Sequence, residues 1–171
     1  MRIVLLDADV IIDLHRFGIW EAIVRQNHLL IPSTILRQEA FYWKDEFGFK
    51  HSIDLLHAAG NQFEEISVSA QDLQAFKQKF DRFIEEELDT GETEALKILN
   101  DRDDCHFCTC DKVAIKAIAI LGKRELGQSF ELLLKSSGIT KQLERKHTDS
   151  YFNKYLDEGS LLRVQRFGLK D

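Results

Sequence analysis

The sequence has no long apolar run, a single proline and three cysteines, and these scarcities exclude several classes of protein. No apolar run approaches the roughly 18–20 residues with which a helix crosses a bilayer, so we expect no membrane-spanning segment. Residues 1–7 turn acidic too soon for a signal peptide. Together these observations favour a cytoplasmic protein.

The three cysteines are clustered and odd in number, which argues against a disulfide framework. With His106 they form the pattern C-H-x-C-x-C, but no second cluster in the sequence completes the four ligands of a zinc site. Strand alternation sends Cys108 and Cys110 to one face and Cys105 to the other. We therefore interpret the cysteines as buried apolar residues of a strand.

The 171 residues are 44% hydrophobic and 30% charged, which is a globular composition. There are no repeats and no low-complexity tracts, so residues 1–171 are predicted to form one domain. The formal net charge is −6, and an acidic chain argues against broad, non-specific binding to nucleic acid. Such a charge is compatible with a small site where metal ions meet phosphate.

The last 43 residues differ from the rest, because 129–171 carry a net charge of +2 and 1–128 carry −8. This basic tail has two interpretations, contact with a polyanion or a solvated helix face, and we favour the second. The residues concerned are Lys141, Arg145, Lys146, His147, Lys154, Arg163 and Arg166.

Segments typical of strands alternate with segments typical of helices. Strands are predicted at residues 3–6, 28–31, 63–68, 106–110 and 161–164. Helices are predicted at residues 10–16, 32–41, 52–59, 92–100, 113–121, 129–137 and 140–156, with another that ends near residue 26. A further apolar stripe at helical spacing follows Ser69 and consists of Leu73, Phe76, Phe80, Phe83 and Leu88. This alternation predicts an α/β fold with a mostly parallel sheet.

Two carboxylates stand where predicted strands end. Asp7 follows the first strand, and Asp111 follows the strand at 106–110. Ligands of parallel α/β sheets gather outside the carboxyl ends of the strands, so we expect Asp7 and Asp111 at the same edge.

Two further carboxylates are predicted to point inward from helices. Glu92 lies on the same helical face as Ala95 and Leu99, and Glu39 follows Ile35 by one turn. Glu94 is expected to face solvent and to pair with Lys97. Clustered carboxylates repel one another and bind protons or a cation, and oxygen ligands suit Mg²⁺ or Mn²⁺.

Four segments in this order resemble the PIN domain family: L-L-D-A-D-V-I-I-D-L (5–14), I-P-S-T-I-L-R-Q-E-A (31–40), L-D-T-G-E-T-E-A-L-K-I-L (88–99) and T-C-D-K-V-A-I-K-A (109–117). The resemblance covers residues 1–122 and implies a three-layer α/β/α sandwich around a mostly parallel sheet. Residues 123–171 would form a helical C-terminal extension.

Many PIN domains are metal-dependent ribonucleases, including toxins of toxin–antitoxin pairs. The resemblance therefore implies hydrolysis of RNA phosphodiester bonds. By the family pattern the acidic catalytic residues are Asp7, Glu39, Glu92 and Asp111. Asp7, Glu92 and Asp111 would hold one Mg²⁺ or Mn²⁺, and Glu39 would complete the cluster. Asp9 and the Thr109 hydroxyl would have supporting roles.

Two features depart from that pattern. The family often has another acid shortly after the residue that matches Asp111, whereas Lys112, Val113 and Ala114 follow here. The acid that would help to hold a second metal ion is therefore missing. The tail from Thr140 has no counterpart in the core pattern, and it would cover the site, hold a partner or form a dimer surface. The partners that the resemblance implies are RNA, a cognate antitoxin or regulatory protein, and a second copy of the chain. No membrane is expected among the partners.

Two other functions stay open. In a haloacid-dehalogenase-type phosphatase, Asp7 would be the nucleophile and Asp9 the acid/base, with Asp103 and Asp104 as the late acidic pair. In a non-catalytic PIN-like binding or regulatory module, the acidic surface would serve recognition alone. An exposed aromatic residue among 41–49 would stack on an unpaired base, although packing in the core or a dimer is the favoured interpretation.

Overall fold

A computed structural model describes residues 1–38 and 41–171 of the chain. At its centre, five parallel strands form one sheet in the order β5-β2-β1-β6-β7. These strands are β1 (Arg2–Leu6), β2 (Asn27–Pro32), β5 (Glu64–Ile66), β6 (His106–Cys108) and β7 (Gly127–Gln128). A separate antiparallel hairpin consists of β3 (Tyr42–Lys44) and β4 (Lys50–Ser52).

The central strand β1 is buried on both faces, which explains its uninterrupted apolar sequence. Val4 and Leu6 contribute to the core on one side of the sheet, and Leu5 contributes to the core on the other. Val4 is aligned with Leu29 of β2 and with His106 of β6. The carboxyl ends of β1 and β6 therefore meet at one edge of the sheet.

Helices cover both faces of this sheet. On the Val4 side lie α1 (Ala8–Arg16), α2 (Trp20–Gln26), α3 (Ser33–Gln38) and α8 (Phe130–Ser136). On the Leu5 side lie α4 (Ala70–Lys77), α5 (Arg82–Glu85), α6 (Thr90–Asp101), α7 (Lys112–Ile120) and α9 (Asp149–Val164). This arrangement confirms the predicted α/β fold, a three-layer α/β/α sandwich around a parallel sheet.

The predicted helix at residues 52–59 is wrong. The structure has the end of β4 there, followed by a single 3-10 turn, Leu56–Ala58. Ile53 extends the hairpin because its N–H donates to the carbonyl oxygen of Phe41 at 2.9 Å. Pairing with a distant segment therefore overrides the local helical preference.

The tail also differs from its prediction. The helix predicted at 140–156 begins later, at Asp149, because the side chain of Thr148 caps it by accepting from the Tyr151 N–H. A 3-10 turn, Arg145–His147, precedes it. The strand predicted at 161–164 is wrong, since these residues are the last turn of α9.

The apolar stripe after Ser69 does not lie on one helix, because Leu73 and Phe76 belong to α4, Phe83 belongs to α5, and Phe80 and Leu88 lie outside both. Phe76, Phe80 and Leu88 are buried, as predicted, but Phe83 is 47% exposed. The break between Lys77 and Arg82 changes the helical phase, so that Phe83 faces away from the core. Within the ranges 1–38 and 41–171, no helix has both the length and the apolarity that crossing a membrane requires.

Candidate active site

Three helices begin with carboxylates at the carboxyl edge of the sheet. Asp7 caps α1 by accepting the Ala8 N–H at 2.8 Å. Asp111 caps α7 by accepting the N–H groups of Val113 and Ala114 at 2.8 and 2.9 Å. The sequence folds this way because the first N–H groups of a helix have no partner within the helix, and an aspartate just before the helix accepts them.

The third helix, α6, begins with a capping box. The Glu92 N–H donates to Asp89 Oδ1 at 2.7 Å, and the Asp89 N–H donates to Glu92 Oε2 at 3.0 Å. Glu92 is 8% exposed. The reciprocal bonds hold its side chain back toward the start of α6, beside Asp7 and Asp111.

Thr109 connects the two strand-end carboxylates. Its hydroxyl donates to Asp7 Oδ2 at 2.6 Å, and its oxygen accepts the Asp111 N–H at 3.1 Å. Thr109 is fully buried, and the Asp7 N–H bonds to the carbonyl oxygen of Cys108 at 3.2 Å. Asp7 and Asp111 are therefore held through one shared hydroxyl.

Asp7 has a strongly perturbed acidity. Burial raises its pKa from 3.8 to about 7, although the hydrogen bonds from Thr109 and Ala8 act in the opposite direction. The charges of Asp9 and Asp89 raise it further. Asp7 therefore titrates near neutral pH instead of being fully ionised.

The pKa of Glu92 is shifted further than that of Asp7. Burial raises its pKa from 4.5 to about 9, and the charges of Asp111, Asp7 and Asp89 add to the effect. The hydrogen bond from the Asp89 backbone lowers it in part. Glu92 is thus surrounded by like charges in a poorly solvated position, which favours its neutral form.

The predicted site residues are accordingly distributed as follows. Asp7, Glu92 and Asp111 lie close enough for their charges to interact, and Thr109 bonds to Asp7. Asp9 is exposed in the first turn of α1, where its charge acts on Asp7. Glu39 lies outside the described residues.

The carboxylate oxygens are all hard ligands, which suits Mg²⁺ or Mn²⁺. Nevertheless, no group of three or more His, Cys, Asp or Glu side chains within 1–38 and 41–171 is close enough together to hold a metal ion. The capping bonds explain this, because they turn oxygens of Asp7, Glu92 and Asp111 toward helix N–H groups.

The caps formed by Asp111 and Glu92 each leave one carboxylate oxygen for another partner. The hydrogen bonds among the described residues occupy Oδ1 of Asp111 and Oε2 of Glu92, and they leave Oδ2 and Oε1 of these two side chains without a donor. The donor chemistry and the crowding of negative charge therefore fit a divalent cation, provided that the side chains rotate toward each other.

Asp89 also belongs to the cluster, although it is not among the predicted site residues. The signal was present as D-x-x-E, the capping-box spacing, which joins Asp89 to Glu92. The expectation for Glu94 was wrong, because Glu94 is 1% exposed. It accepts the N–H groups of Thr34 at 2.7 Å and Val68 at 2.9 Å, and Lys97 pairs with Asp101 instead.

A second group of charges lies near the cluster. Asp13 of α1 is buried, and its Oδ2 contacts His147 Nε2 at 2.7 Å and Lys146 Nζ at 2.9 Å. Arg16 Nη2 lies 2.9 Å from Asp13 Oδ1. Burial alone would raise the pKa of Asp13, but these partners lower it to about 2. Lys146 and His147 of the basic tail thus anchor that tail to α1.

The cysteines occupy both sides of the sheet. Cys108 and Cys110 belong to the core on the Val4 side, and Cys105 belongs to the opposite core. All three are buried and free, and burial raises the pKa of each thiol. This agrees with their interpretation as small apolar residues of the strand region.

Comparison with known proteins gives no match to a family model, a curated protein or a solved structure. The feature that bears on function is therefore the carboxylate edge itself, where α1, α6 and α7 begin with carboxylates and where burial and neighbouring charges raise the pKa of Asp7 and Glu92.

Proposed function

We propose that this protein is a divalent-cation-dependent ribonuclease of the PIN type, with Asp7, Glu92 and Asp111 as its acidic centre. One observation carries the proposal. Glu92, with a pKa raised to about 9, is crowded by the charges of Asp111, Asp7 and Asp89. A buried cluster of this kind is unfavourable unless it binds protons or a cation, and perturbed carboxylates of this kind are concentrated at functional sites.

Each residue of this centre would have a distinct role. Asp111 Oδ2 and Glu92 Oε1 would bind Mg²⁺ or Mn²⁺ together with Asp7, and the family pattern adds Glu39. Thr109 would keep Asp7 oriented through its 2.6 Å hydrogen bond. A bound cation supplies neutralisation of the phosphate and activation of water. Asp9, exposed beside this centre, would be a further acceptor for protons or water.

A non-catalytic binding module is the second candidate, and one observation favours it. One oxygen of each of Asp7, Glu92 and Asp111 is engaged in a capping bond, and the described residues contain no ready group of three metal ligands. In this case the carboxylates would serve the fold, and the acidic edge would bind a basic partner.

The phosphatase alternative receives no comparable support. Both oxygens of Asp7 accept hydrogen bonds, from Ala8 and Thr109, which reduces the nucleophilicity of this carboxylate. Asp103 and Asp104 precede β6, whereas Asp7 follows β1. Because β1 and β6 are parallel, the acidic pair lies toward the opposite edge of the sheet.

Two measurements test the proposed function. Thermal unfolding at about pH 8, with Mn²⁺ or with EDTA, detects binding as a higher melting temperature with the cation. Cleavage of an end-labelled RNA with Mg²⁺, Mn²⁺ or EDTA detects the activity. Asp111→Asn and Asp7→Asn are the test variants, and Asp103→Asn, remote from the cluster and exposed, is the matched control.

We expect wild type and Asp103→Asn to be stabilised by Mn²⁺ and to cleave RNA, and the two test variants to lose both properties. Absence of both cation binding and cleavage in the wild type would overturn the ribonuclease and support the binding module. Undiminished cleavage by Asp7→Asn and Asp111→Asn would exclude the proposed centre.

A further inference from the structure

Helices α7 and α9 lie side by side and run in the same direction away from the acidic edge. Along α9, Tyr155 is near Lys112 and Lys116, Gly159 is against Lys116, and Arg163 Nη1 reaches the Ile120 carbonyl oxygen at 3.2 Å. Gly159 permits this close approach, because a Cβ there would lie 2.4 Å from the Lys116 carbonyl oxygen. The outer surface of this helix pair therefore begins beside Asp111.

Two tyrosines lie on this surface, one turn apart on α9. The rings of Tyr151 and Tyr155 are 4.9 Å apart between centroids, with an interplanar angle of 68°. Both are partly exposed. Burial raises the pKa of Tyr151, and the charges of Tyr155 and Asp111 raise it further. The effect of Asp111 indicates that Tyr151 is the tyrosine closer to the acidic edge.

Three lysines surround the outer tyrosine. The Nζ atoms of Lys154, Lys116 and Lys112 lie 5.1, 5.5 and 5.6 Å from the centroid of Tyr155. Lys116 is neutralised by Glu158 at 3.0 Å. Lys112 and Lys154 form no ion pair with any of the described residues. We refer to Lys112, Lys116, Tyr151, Lys154 and Tyr155 as the lysine–tyrosine strip.

This composition is unusual for the molecule, whose net charge is −6. Ammonium groups above an aromatic ring gain a modest cation–π energy, and they can move from the ring to a phosphate. Tyrosine faces stack on unpaired bases irrespective of sequence. A duplex does not expose base faces, so such a strip discriminates in favour of single strands.

We propose that the lysine–tyrosine strip binds the unpaired nucleotides adjoining the bond to be cleaved, with Tyr151 and Tyr155 stacking on bases and Lys112 and Lys154 contacting phosphates. This inference rests on the proposed function, because it specifies single-stranded RNA as the substrate of the same acidic edge. It also gives a role to α9, which lies outside the segment that resembles PIN domains.

The test is binding of a labelled single-stranded RNA, measured by fluorescence anisotropy in EDTA, with the same sequence as a duplex for comparison. Tyr155→Leu retains apolar packing and removes the aromatic face, and it should raise Kd roughly five-fold or more for the single strand. In the double variant Lys112→Ala and Lys154→Ala, the slope of log Kd against log salt concentration should fall by about 1.4, which corresponds to the loss of two phosphate contacts. Circular dichroism melting verifies that each variant is folded.

The matched control is Phe83→Leu in α5, which also replaces an aromatic side chain that is 47% exposed. Phe83 is not a member of the lysine–tyrosine strip, so this variant should bind the single strand as the wild type does. Equal loss of binding in Tyr155→Leu and Phe83→Leu, or tighter binding of the duplex than of the single strand, would overturn the proposal.

The outcomes separate this inference from the proposed function. Cleavage that depends on Asp7, combined with wild-type binding by Tyr155→Leu and by the double lysine variant, would overturn the strip and leave the ribonuclease proposal intact. Selective loss of single-strand binding without any cation-dependent cleavage would support the strip as a nucleic-acid surface and overturn the ribonuclease proposal.

Discussion

The hydroxyl of Thr109 donates a hydrogen bond to Asp7 Oδ2, with 2.6 Å between the two oxygens. Both residues are buried, and they belong to neighbouring strand ends that are 102 residues apart in the sequence. The same hydroxyl oxygen accepts the N–H of Asp111 at 3.1 Å. Thr109 therefore couples the orientation of one carboxylate to the backbone of the other.

Replacing Thr109 by valine should raise the pKa of Asp7 further above about 7, because the hydroxyl stabilises the charged carboxylate. The free energy of unfolding should fall by about 1–3 kcal/mol, since a buried acceptor loses its donor. Carbon-detected NMR titration of the Asp7 carboxyl and urea denaturation measure the two effects. Thr109→Ser, which retains the hydroxyl, should resemble wild type, and an unchanged Asp7 pKa in Thr109→Val would contradict the role of this bond.

The acidic cluster should make the protein less stable as the pH rises. The pKa values of Asp7 and Glu92, about 7 and about 9, exceed the ordinary values of 3.8 and 4.5. The folded state thus binds protons that the unfolded chain releases. The stabilisation that these two groups contribute is fully present when the pH is below their ordinary pKa values, and it is lost as the pH rises through about 7 and then about 9.

Glu92→Gln tests this dependence, since glutamine retains an oxygen for the Asp89 N–H and removes the charge. In EDTA, its melting temperature relative to wild type should increase between about pH 5 and about pH 9. Glu87→Gln, at an exposed position, should show a constant difference. A Glu92→Gln profile parallel to that of wild type would mean that Glu92 carries no repulsion in the folded protein.

Glu94 should prove to be a structural carboxylate. Its two oxygens accept N–H groups from Thr34 and Val68, which join α3 and the segment after β5 to α6. Glu94→Gln offers only one oxygen, so one buried N–H loses its acceptor, at a cost of about 1–3 kcal/mol. Urea denaturation measures the change. A loss no larger than that of the exposed variant Glu86→Gln would contradict the assignment.

Asp13 should anchor the C-terminal tail. Asp13→Ala leaves the buried ring of His147 without its hydrogen-bond partner and Lys146 without its ion pair, and it should destabilise the protein by about 1–3 kcal/mol. Limited proteolysis should then cleave near residue 145 sooner than in wild type. Arg82→Ala breaks the exposed pair with Glu86 and should cost less than about 1 kcal/mol. Equal losses in the two variants would refute an anchoring role.

Gly159→Ala should separate α9 from α7. The added Cβ would lie 2.4 Å from the Lys116 carbonyl oxygen, which is too close for any carbon atom, so the helices must move apart. We expect a loss of about 1–3 kcal/mol in the free energy of unfolding, as in other overpacked cores. Leu161→Ala, exposed on the same helix, should change it by less than about 0.5 kcal/mol. A Gly159→Ala variant as stable as wild type would contradict a close contact between α7 and α9 at this position.

Strands β1 and β2 and the positions of Asp7 and Asp111 were predictable, because these strands are short apolar runs and aspartate is a good cap for a following helix. Strand β7 was not predicted, because Gly127 and Gln128 carry no apolar pattern. The orientation of Glu94 was not predictable. Helical periodicity assigned it to solvent, but the N–H groups that it binds come from Thr34 and Val68, 60 and 26 residues away. No local pattern in α6 contains information about those donors.

Local periodicity and helix capping, which are readable in the amino-acid sequence, predict the alternation of strands and helices and the placement of carboxylates at strand ends. They do not predict which charges are buried together. Asp13 contacts His147, 134 residues away in the sequence, and Glu92 is surrounded by the acids of two other helix starts. Desolvation and Coulomb energies depend on distances between segments, and those distances exist only after the layers have packed.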